Sequence, residues 1–383
     1  MYIKTIELKN YRNYENLSLN FDSDKVLLVG KNAQGKTNLL EAIYFMSCLN
    51  SARAKNDSDI ILWGKDFLRV KLKMSRQDMD FSLEVISSPP KKREMLVNDV
   101  KKRKTSDFCS NLSVVSFSVN DLLLLRGTPD DRRRWLDMAI SQIYPAYLDR
   151  IAKYNKIRVQ KSSHLREIKG NLQANRDILD VLNMQLVIAG SNIIYLRLKF
   201  LRELQKIAKQ KHLQIAEKED FFMEYNSSVI ETLGFKNEIP YTIEDIAFVF
   251  DKKLKLRQDE EIIRAQAVVG PHRDDVFYYI NGIDSRKFAS QGQQRTIVLS
   301  LKLAELELIK EKIGDTPILL LDDVLAELDN IRQNYLLNAI GSKIQTIITS
   351  VDTVLFDNDY LKNVQLFNIL NGRTTDCPPY KKS

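Results

Sequence analysis

The sequence reads Gly30-Lys31-Asn32-Ala33-Gln34-Gly35-Lys36-Thr37 near its N-terminus, which matches the phosphate-binding pattern G-x-x-x-x-G-K-[ST]. Two glycines let such a loop curl tightly and turn its N–H groups towards phosphate. In this pattern the lysine, Lys36, reaches the β- and γ-phosphates, and the Thr37 hydroxyl ligates Mg²⁺. We therefore predict that residues 30–37, with the adjoining Asn38, bind ATP and Mg²⁺ and that Lys36 acts in catalysis.

The residues on either side of this loop supply the context that it needs. Lys25–Val29 is a short apolar run, typical of a buried strand. Apolar residues at helical spacing follow the loop, from Leu39 to Met46. The pattern predicts a strand, a loop and then a helix whose positive N-terminal end faces the anion.

A second apolar strand ends in acidic residues far along the chain. Ile318–Leu321 leads directly into Asp322 and Asp323. In a phosphate-loop site, Asp322 would hold Mg²⁺ together with Thr37, and Asp323 would orient or deprotonate the attacking water. Acids also cap strand ends for purely structural reasons, so the prediction depends on the phosphate loop being present.

The segment from Ser290 to Arg295, Ser-Gln-Gly-Gln-Gln-Arg, precedes a helical pattern that starts at Thr296. A small hydroxyl residue and a glycine at a helix start form a second anion-binding end. One chain cannot easily direct two helix starts at one γ-phosphate, but two chains related by a twofold axis can. We predict that Ser290 is catalytic and that Ser290, Gly292 and Gln293 contact nucleotide. The alternative is an ordinary helix cap.

The rest of the chain alternates strand and helix patterns around a helical middle. Period-two alternation between about Phe67 and Val119 predicts an antiparallel sheet. Apolar residues from Leu179 to Phe200 recur every three or four positions, which predicts a helix paired with the stretch around residues 148–168. The predicted fold is an α/β ABC-type ATPase head, a mixed sheet with an antiparallel β subdomain, interrupted by a helical arm. We predict head segments at residues 1–140 and 265–383 and a helical insertion at 141–264.

Composition narrows the class of protein. The composition, with 44% hydrophobic and 28% charged residues, suits a globular protein with a core. The net charge of +8 favours binding of nucleic acid, binding of anionic lipid or plain solubility, and charge alone does not choose among these. We find no run of about 18 apolar residues and no secretory signal in the first residues, and we expect a cytoplasmic protein without a membrane span. Three scattered cysteines agree with a reducing compartment.

Clusters of basic residues are the candidates for DNA contact through backbone phosphates. They flank a predicted turn at Asn98–Asp99 and continue on the helical segment. The candidates are Lys91, Lys92, Arg93, Lys101, Lys102, Arg103, Lys104, Arg150 and Lys153. The helical segment 150–176 carries further basic residues, Lys161 among them, and Arg132-Arg133-Arg134 form another run. Each could instead be a solvated surface, and the arginine run could instead lie near the nucleotide or pair with Asp130 and Asp131.

Taken in order, these motifs resemble those of the RecF family, recombination mediators of the ABC/SMC-like group. The similar segments are Tyr11-Arg12-Asn13-Tyr14, the loop at 30–37, Gly270–Asp275, Ser290–Arg295, and Leu321-Asp322-Asp323 followed by Glu327-Leu328-Asp329. The resemblance implies nucleotide contacts from Arg12 and from Asp329 in the D-loop. It also implies an ATP-induced homodimer on DNA that works with RecO and RecR to load RecA in DNA repair, replication and recombination.

Departures from the family pattern concern catalysis. Ala326 stands where a serine is frequent, Phe117–Leu125 contains no glutamine for a Q-loop, and Thr349–Asp352 lacks the usual histidine. Asp323 is shorter than the usual catalytic glutamate. We expect slow hydrolysis that acts as a timer. The alternatives are a DNA clamp that binds ATP with negligible turnover, and an ABC-type ATPase that drives another partner.

Overall fold

The computed structural model describes residues 1–51, 53–54, 56–170, 176–231, 233–234, 241–341, 344–354, 356 and 361–376. The strands are β1 (Tyr2–Tyr11), β2 (Tyr14–Asn20), β3 (Lys25–Val29), β4 (Leu68–Arg76), β5 (Met79–Ser87), β6 (Glu94–Val97), β7 (Val100–Lys102), β8 (Val114–Ser118), β9 (Phe221–Asn226), β10 (Leu233–Gly234), β11 (Asp275–Ile280), β12 (Ile283–Asp284), β13 (Ile318–Asp322), β14 (Thr346–Ser350), β15 (Gln365–Leu370) and β16 (Arg373–Asp376). The helices are α1 (Lys36–Cys48), α2 (Thr105–Cys109), α3 (Leu123–Arg126), α4 (Pro129–Ile143), α5 (Ala146–Gly170), α6 (Arg176–Ile215), α7 (Ile243–Leu256), α8 (Gln258–Arg264), α9 (Ser285–Phe288), α10 (Gln291–Ile313), α11 (Val324–Glu327) and α12 (Asn330–Ile340).

The chain divides into two compact units. One comprises residues 1–121 and 305–383, and the other comprises residues 122–304. These limits differ from the predicted boundaries at 140/141 and 264/265, because α4 packs on α5 and β11 pairs with β9 inside the second unit. Hydrophobic periodicity alone does not reveal which neighbour a helix or strand will pack against.

The first unit contains two sheets. In the nucleotide sheet, the order is β16-β15-β3-β14-β13-β8, and every pair is parallel except β15 with β16. The strands β3, β13 and β14 are almost entirely buried, which explains their near-continuous apolar sequences. Since parallel strands end at the same edge, the residues that follow β3, β13 and β14 lie together.

The second sheet of this unit is antiparallel, in the order β2-β1-β4-β5-β6-β7. The strands β4 to β7 pair antiparallel, as predicted, and Val70, Leu72 and Leu83 on β4 and β5 are fully buried. The prediction was wrong for β8, which joins the parallel sheet beside β13. Val114–Ser118 is a short, mostly buried run, and such runs suit a sheet covered on both faces.

The second unit is dominated by the long helix α6, which packs against α5 and α7. The predicted apolar seam is buried at Leu179, Leu186, Ile193 and Phe200, whereas its intervening residues Leu182, Ala189 and Leu196 are only partly buried. A small antiparallel sheet, β10-β9-β11-β12, completes the unit and was not predicted.

The predicted absence of a membrane span meets one exception in α6. Residues 177–215 are long and apolar enough to cross a membrane by length and composition. Half of the most apolar window is buried inside the protein, and a core helix meets the same criterion.

Candidate functional site

The phosphate loop lies between β3 and α1, at the edge where the parallel strands end. Gly35 has φ 120°, and a Cβ there would lie 2.7 Å from Asn13 Nδ2 and 2.9 Å from the Tyr14 hydroxyl. A Cβ on Gly30 would lie 2.4 Å from the carbonyl oxygen of Ile369. Both positions therefore require glycine, one for its conformation and both for space.

Residues distant in sequence hold the loop from outside. Asn13 Nδ2 donates to the Gln34 carbonyl at 3.0 Å, and the Tyr14 hydroxyl donates to the Gly35 carbonyl at 3.0 Å. On the other side, the backbone N–H groups of Asn371 and Gly372 donate to Gln34, at 2.8 and 3.0 Å. The turn between β15 and β16 thus supports the loop, which the sequence analysis did not predict.

Lys36 begins α1 and is almost completely buried. Its ammonium group donates to the carbonyl oxygens of Gly30 at 2.5 Å and Lys31 at 3.2 Å. The lysine is therefore folded across the loop that a phosphate group would enter, with its charge satisfied by the loop's own carbonyls.

The predicted metal ligands, Thr37 and Asp322, meet at the strand ends. Thr37 Oγ1 donates to Asp322 Oδ1 at 2.9 Å. The Thr349 hydroxyl lies 3.0 Å from the same oxygen and 3.2 Å from Asp323 Oδ1, and it accepts the Asp323 N–H at 2.8 Å. Thr349 thus holds both aspartates, and the sequence analysis had noted it only for the missing histidine.

Electrostatics agree with a cation at this position. Burial raises the pKa of Asp322, hydrogen bonds from Thr37 and Thr349 oppose the rise, and the Asp323 charge adds to it. The half-buried Asp322 carboxylate beside the Thr37 hydroxyl offers the oxygen ligands that Mg²⁺ prefers. The residues present therefore fit the predicted metal.

Arg12, a predicted nucleotide contact, is held by α1. Its guanidinium donates to Glu41 Oε1 at 2.7 Å and Oε2 at 2.8 Å, and to the Asp59 carbonyl at 2.8 Å. Asn38, another predicted nucleotide contact, donates from Nδ2 to Asn13 Oδ1 at 2.8 Å, and Asn13 in turn supports the phosphate loop. Glu41 is a further residue that the motifs did not indicate.

The segment Ser290–Arg295, the signature, lies in the second unit. The helix begins at Gln291, five residues before the predicted start, and Ser290 precedes it. Gln293 N–H donates to Ser290 Oγ at 3.2 Å, and Ser290 N–H donates to Gln293 Oε1 at 2.9 Å. This reciprocal pair is a capping box, so the ordinary cap and the anion-binding end are the same structure.

Two other predicted positions have defined partners. Asp329 caps α12 by accepting the Arg332 N–H at 3.0 Å. The segment without a glutamine, Phe117–Leu125, is followed by Arg126, whose Nε donates to Gln294 Oε1 at 2.6 Å. An arginine thus contacts the signature just beyond the segment where a Q-loop was expected.

The predicted basic hairpin exists, with β6 and β7 joined at Asn98–Asp99, both with positive φ. Arg93 does not project from it, because its guanidinium pairs with Asp57 and donates to the Leu49 carbonyl. Lys101 pairs with Glu94 at 2.7 Å. The candidates without an ion pair to any described residue are Lys91, Lys92, Lys102, Arg103 and Lys104.

The other basic segments also contain both exposed and buried side chains. Arg150 and Lys153 are exposed on α5, and Arg150 donates to Asn192 at 3.4 Å. Lys161 was wrongly assigned to this basic surface: it is fully buried and pairs with Glu261 at 2.5 Å. Arg132 is also buried, in a two-pronged pair with Asp275 at 2.6 and 2.9 Å. Neither side chain is available to DNA.

His272 belongs to a buried polar cluster. Its Nδ1 lies 2.7 Å from the Tyr154 hydroxyl, and its Nε2 lies 3.1 Å from the Ala267 carbonyl. Burial lowers the pKa of His272 to about 3, so the ring is neutral at physiological pH. These contacts give His272 a structural role.

Comparisons with known proteins extend over nearly the whole chain. The family model for the RecF/RecN/SMC N-terminal domain matches residues 2–375. The DNA replication and repair protein RecF of Bacillus subtilis is 38% identical over 373 residues, covering 97% of this chain and 99% of the relative. The protein of the same description from Bacillus thuringiensis is 39% identical over 378 residues, covering 98% and 99%.

Solved structures agree on the fold. A recombination mediator protein RecF, described with ATP in the RecFOR pathway, superposes with a TM-score of 0.88 at 30% identity and covers 98% of both chains. An Smc head bound to a ScpA domain superposes with a TM-score of 0.55 at 14% identity, covering 98% of this chain and 97% of that one, and supports the fold alone. The predicted ABC-type ATPase head with a helical arm is confirmed.

Proposed function

The chain belongs to the RecF family, and on that premise we propose that it is an ATP-dependent DNA-binding protein of recombinational repair and replication. Its relatives are named DNA replication and repair proteins, and solved relatives are described with ATP in the RecFOR pathway. ATP would join two copies head to head on DNA, and slow hydrolysis would release them. The work would take place in the cytoplasm, beside the chromosome.

One observation carries the nucleotide part of this proposal. Thr37 and Asp322, 285 positions apart in sequence, lie within 2.9 Å at the base of a loop that tolerates only glycine at Gly30 and Gly35. Thr37 begins the first turn of α1 and Asp322 ends β13, and both are half-buried, so their polar groups are partly removed from water and need partners. Binding of a metal–nucleotide complex is the task that these residue types suit.

Each residue would act on a defined part of ATP. The loop N–H groups and Lys36 would bind the phosphates, while Thr37 and Asp322 would hold Mg²⁺, which supplies charge neutralisation when bound. Asp323 would orient or deprotonate the attacking water. An aspartate reaches less far than a glutamate, and this supports slow turnover.

The dimer would complete the site. Ser290, Gly292 and the first N–H groups of α10 form a capped helix start, which is a favourable position for an anion. They would contact the γ-phosphate held by the other copy, and Asp329 would lie near that interface. ATP favours the dimer only because both copies contact it, so the linkage is reciprocal.

DNA would be bound through its backbone. Exposed basic side chains at Lys91, Lys92, Arg103 and Lys104, which form no ion pair with any described residue, and the exposed Arg150 and Lys153 on α5 support contact with phosphates without sequence specificity. RecO and RecR are the proposed partners, with RecA loading as the outcome, because the solved relatives are described in the RecFOR pathway. A clamp with negligible turnover is the second candidate, favoured by the short side chain of Asp323.

Light scattering tests the shared site. The mass of the native chain should double with ATP and Mg²⁺, and Ser290→Arg should abolish this increase. Ser18→Arg, the same change at an exposed serine of β2, is the control and should dimerise normally. A monomer under all conditions, or a dimer indifferent to ATP and to Ser290→Arg, contradicts the proposal. Single-turnover hydrolysis with and without DNA separates a slow ATPase from a clamp.

A further inference from the structure

The signature capping box is fastened to a residue outside the motif. Gln293 contributes its backbone N–H and its side-chain oxygen to Ser290, at 3.2 and 2.9 Å. Its remaining group, the amide nitrogen Nε2, donates to Glu219 Oε1 at 2.8 Å. Glu219 lies 74 positions earlier, between α6 and β9.

The chemistry of this contact fixes the orientation of the Gln293 amide. An ionised carboxylate accepts hydrogen bonds and cannot donate them, so only the amide nitrogen of Gln293 can face Glu219. The amide oxygen must then point away, where it accepts the Ser290 N–H. A glutamine at position 219 offers both a donor and an acceptor, so it would permit both amide orientations.

Glu219 is itself anchored to the end of the arm helix. Its Oε2 lies 2.9 Å from His212 Nε2, and the fully buried His212 ring stacks on Phe221 with centroids 5.2 Å apart. About two turns earlier in α6, Gln205 accepts the Met223 N–H at 2.6 Å and donates to the Phe221 carbonyl at 3.1 Å. The last turns of α6 and the strand β9 therefore form one hydrogen-bonded block that carries Glu219.

We propose that Glu219 is a positioning residue for the composite ATPase site: through the Gln293 amide it holds Ser290 and the first turn of α10 in the geometry that contacts ATP bound by a second copy. This inference rests on the proposed function, because it concerns the same shared site. The signature would thus be supported by a residue between α6 and β9. Glu219 would act through Gln293 and Ser290, and its effect would therefore be exerted on the partner's ATP.

The first experiment compares Glu219→Gln with Glu217→Gln. Glu217 is exposed, lies two residues earlier and is the matched control. Glu219→Gln should lower kcat for ATP roughly fivefold and weaken ATP-dependent dimerisation, because the contact with Gln293 loses its charge and no longer fixes the amide orientation. A charged hydrogen bond is typically worth about 1 kcal/mol more than a neutral one, which corresponds to about fivefold. Binding of a fluorescent ATP analogue to the monomer should not change, because the phosphate loop is intact. Glu217→Gln should match the native chain in all three measurements.

A mixing experiment tests action across the dimer. Glu219→Gln retains its own phosphate loop and Asp323, whereas Asp323→Asn retains an intact signature. In a mixed dimer, ATP bound by the Glu219→Gln copy meets the unaltered signature of the Asp323→Asn copy. Mixing should therefore restore hydrolysis well above the sum of the two variants alone. Absence of restoration would mean that Glu219 acts within its own copy and would overturn the inference.

The outcomes separate this inference from the proposed function. If the native chain does not dimerise with ATP, or dimerises regardless of Ser290→Arg, the shared site fails and this inference fails with it. If the native chain passes that test and Glu219→Gln behaves like Glu217→Gln, the shared site stands and only the role of Glu219 is refuted.

Discussion

Replacing Thr349 by valine tests the support beneath the two aspartates. The hydroxyl accepts the Asp323 N–H at 2.8 Å and lies 3.0 Å from Asp322 Oδ1, and the residue is buried. Valine keeps the shape but leaves a backbone donor without its acceptor and a buried carboxylate with one donor fewer. Each loss is worth about 1–2 kcal/mol, so unfolding should become easier by about 2–4 kcal/mol. The melting temperature should fall by about 4–8 °C.

Thermal unfolding without nucleotide measures this effect, and Thr349→Ser is the matched control. Serine keeps the hydroxyl and loses one methyl group, which costs about 1 kcal/mol. Because Thr349 holds down the pKa of Asp322, the valine variant should also shift the acid limb of the ATPase pH profile upwards. If Thr349→Val and Thr349→Ser unfold at the same temperature, the hydroxyl does not support the site as argued.

Three further predictions concern charge. Burial raises the pKa of Asp322, so the ionised carboxylate lowers the free energy of unfolding at pH values above that pKa. Asp322→Asn should therefore have a higher melting temperature than the native chain at neutral pH and should lose ATP hydrolysis. A lower melting temperature would contradict the argument. Lys161→Met should cost about 3–5 kcal/mol by stranding buried Glu261, and the double variant with Glu261→Gln should regain most of it in denaturant unfolding. Arg103→Glu with Lys104→Glu should weaken DNA binding and flatten its salt dependence in anisotropy titrations; an unchanged slope would exclude that segment.

The features predicted correctly are those that a short stretch of sequence determines. β3 has the predicted bounds, Lys25–Val29, because an apolar run between polar residues can be buried only as a unit. The seam from Leu179 to Phe200 follows from helical spacing. The pairing of Thr37 with Asp322 was predicted from the phosphate-binding pattern and the acidic strand end, because these two residue types hold Mg²⁺ together in phosphate-loop sites.

The features that escaped prediction depend on distant partners. Lys161 and Arg132 look like surface charges until Glu261 and Asp275 are brought against them by the fold. In the sequence, Thr349 is one threonine in an apolar strand, and its role follows only from its contacts with Asp322 and Asp323 in the fold. Sequence periodicity contains no information on such pairs, since it describes each element separately.

The order of the nucleotide sheet has a consequence for how the site forms. β3, which carries the phosphate loop, lies between β14 and β15, and both of these come from the last part of the chain. The loop is further supported by Asn371 and Gly372, and its metal-side partner is Asp322. No strand from the first half of the chain pairs with β3 among the described residues. The phosphate loop can therefore take its final shape only after β13 to β15 have been synthesised, and the whole helical arm is made before the ATP site exists.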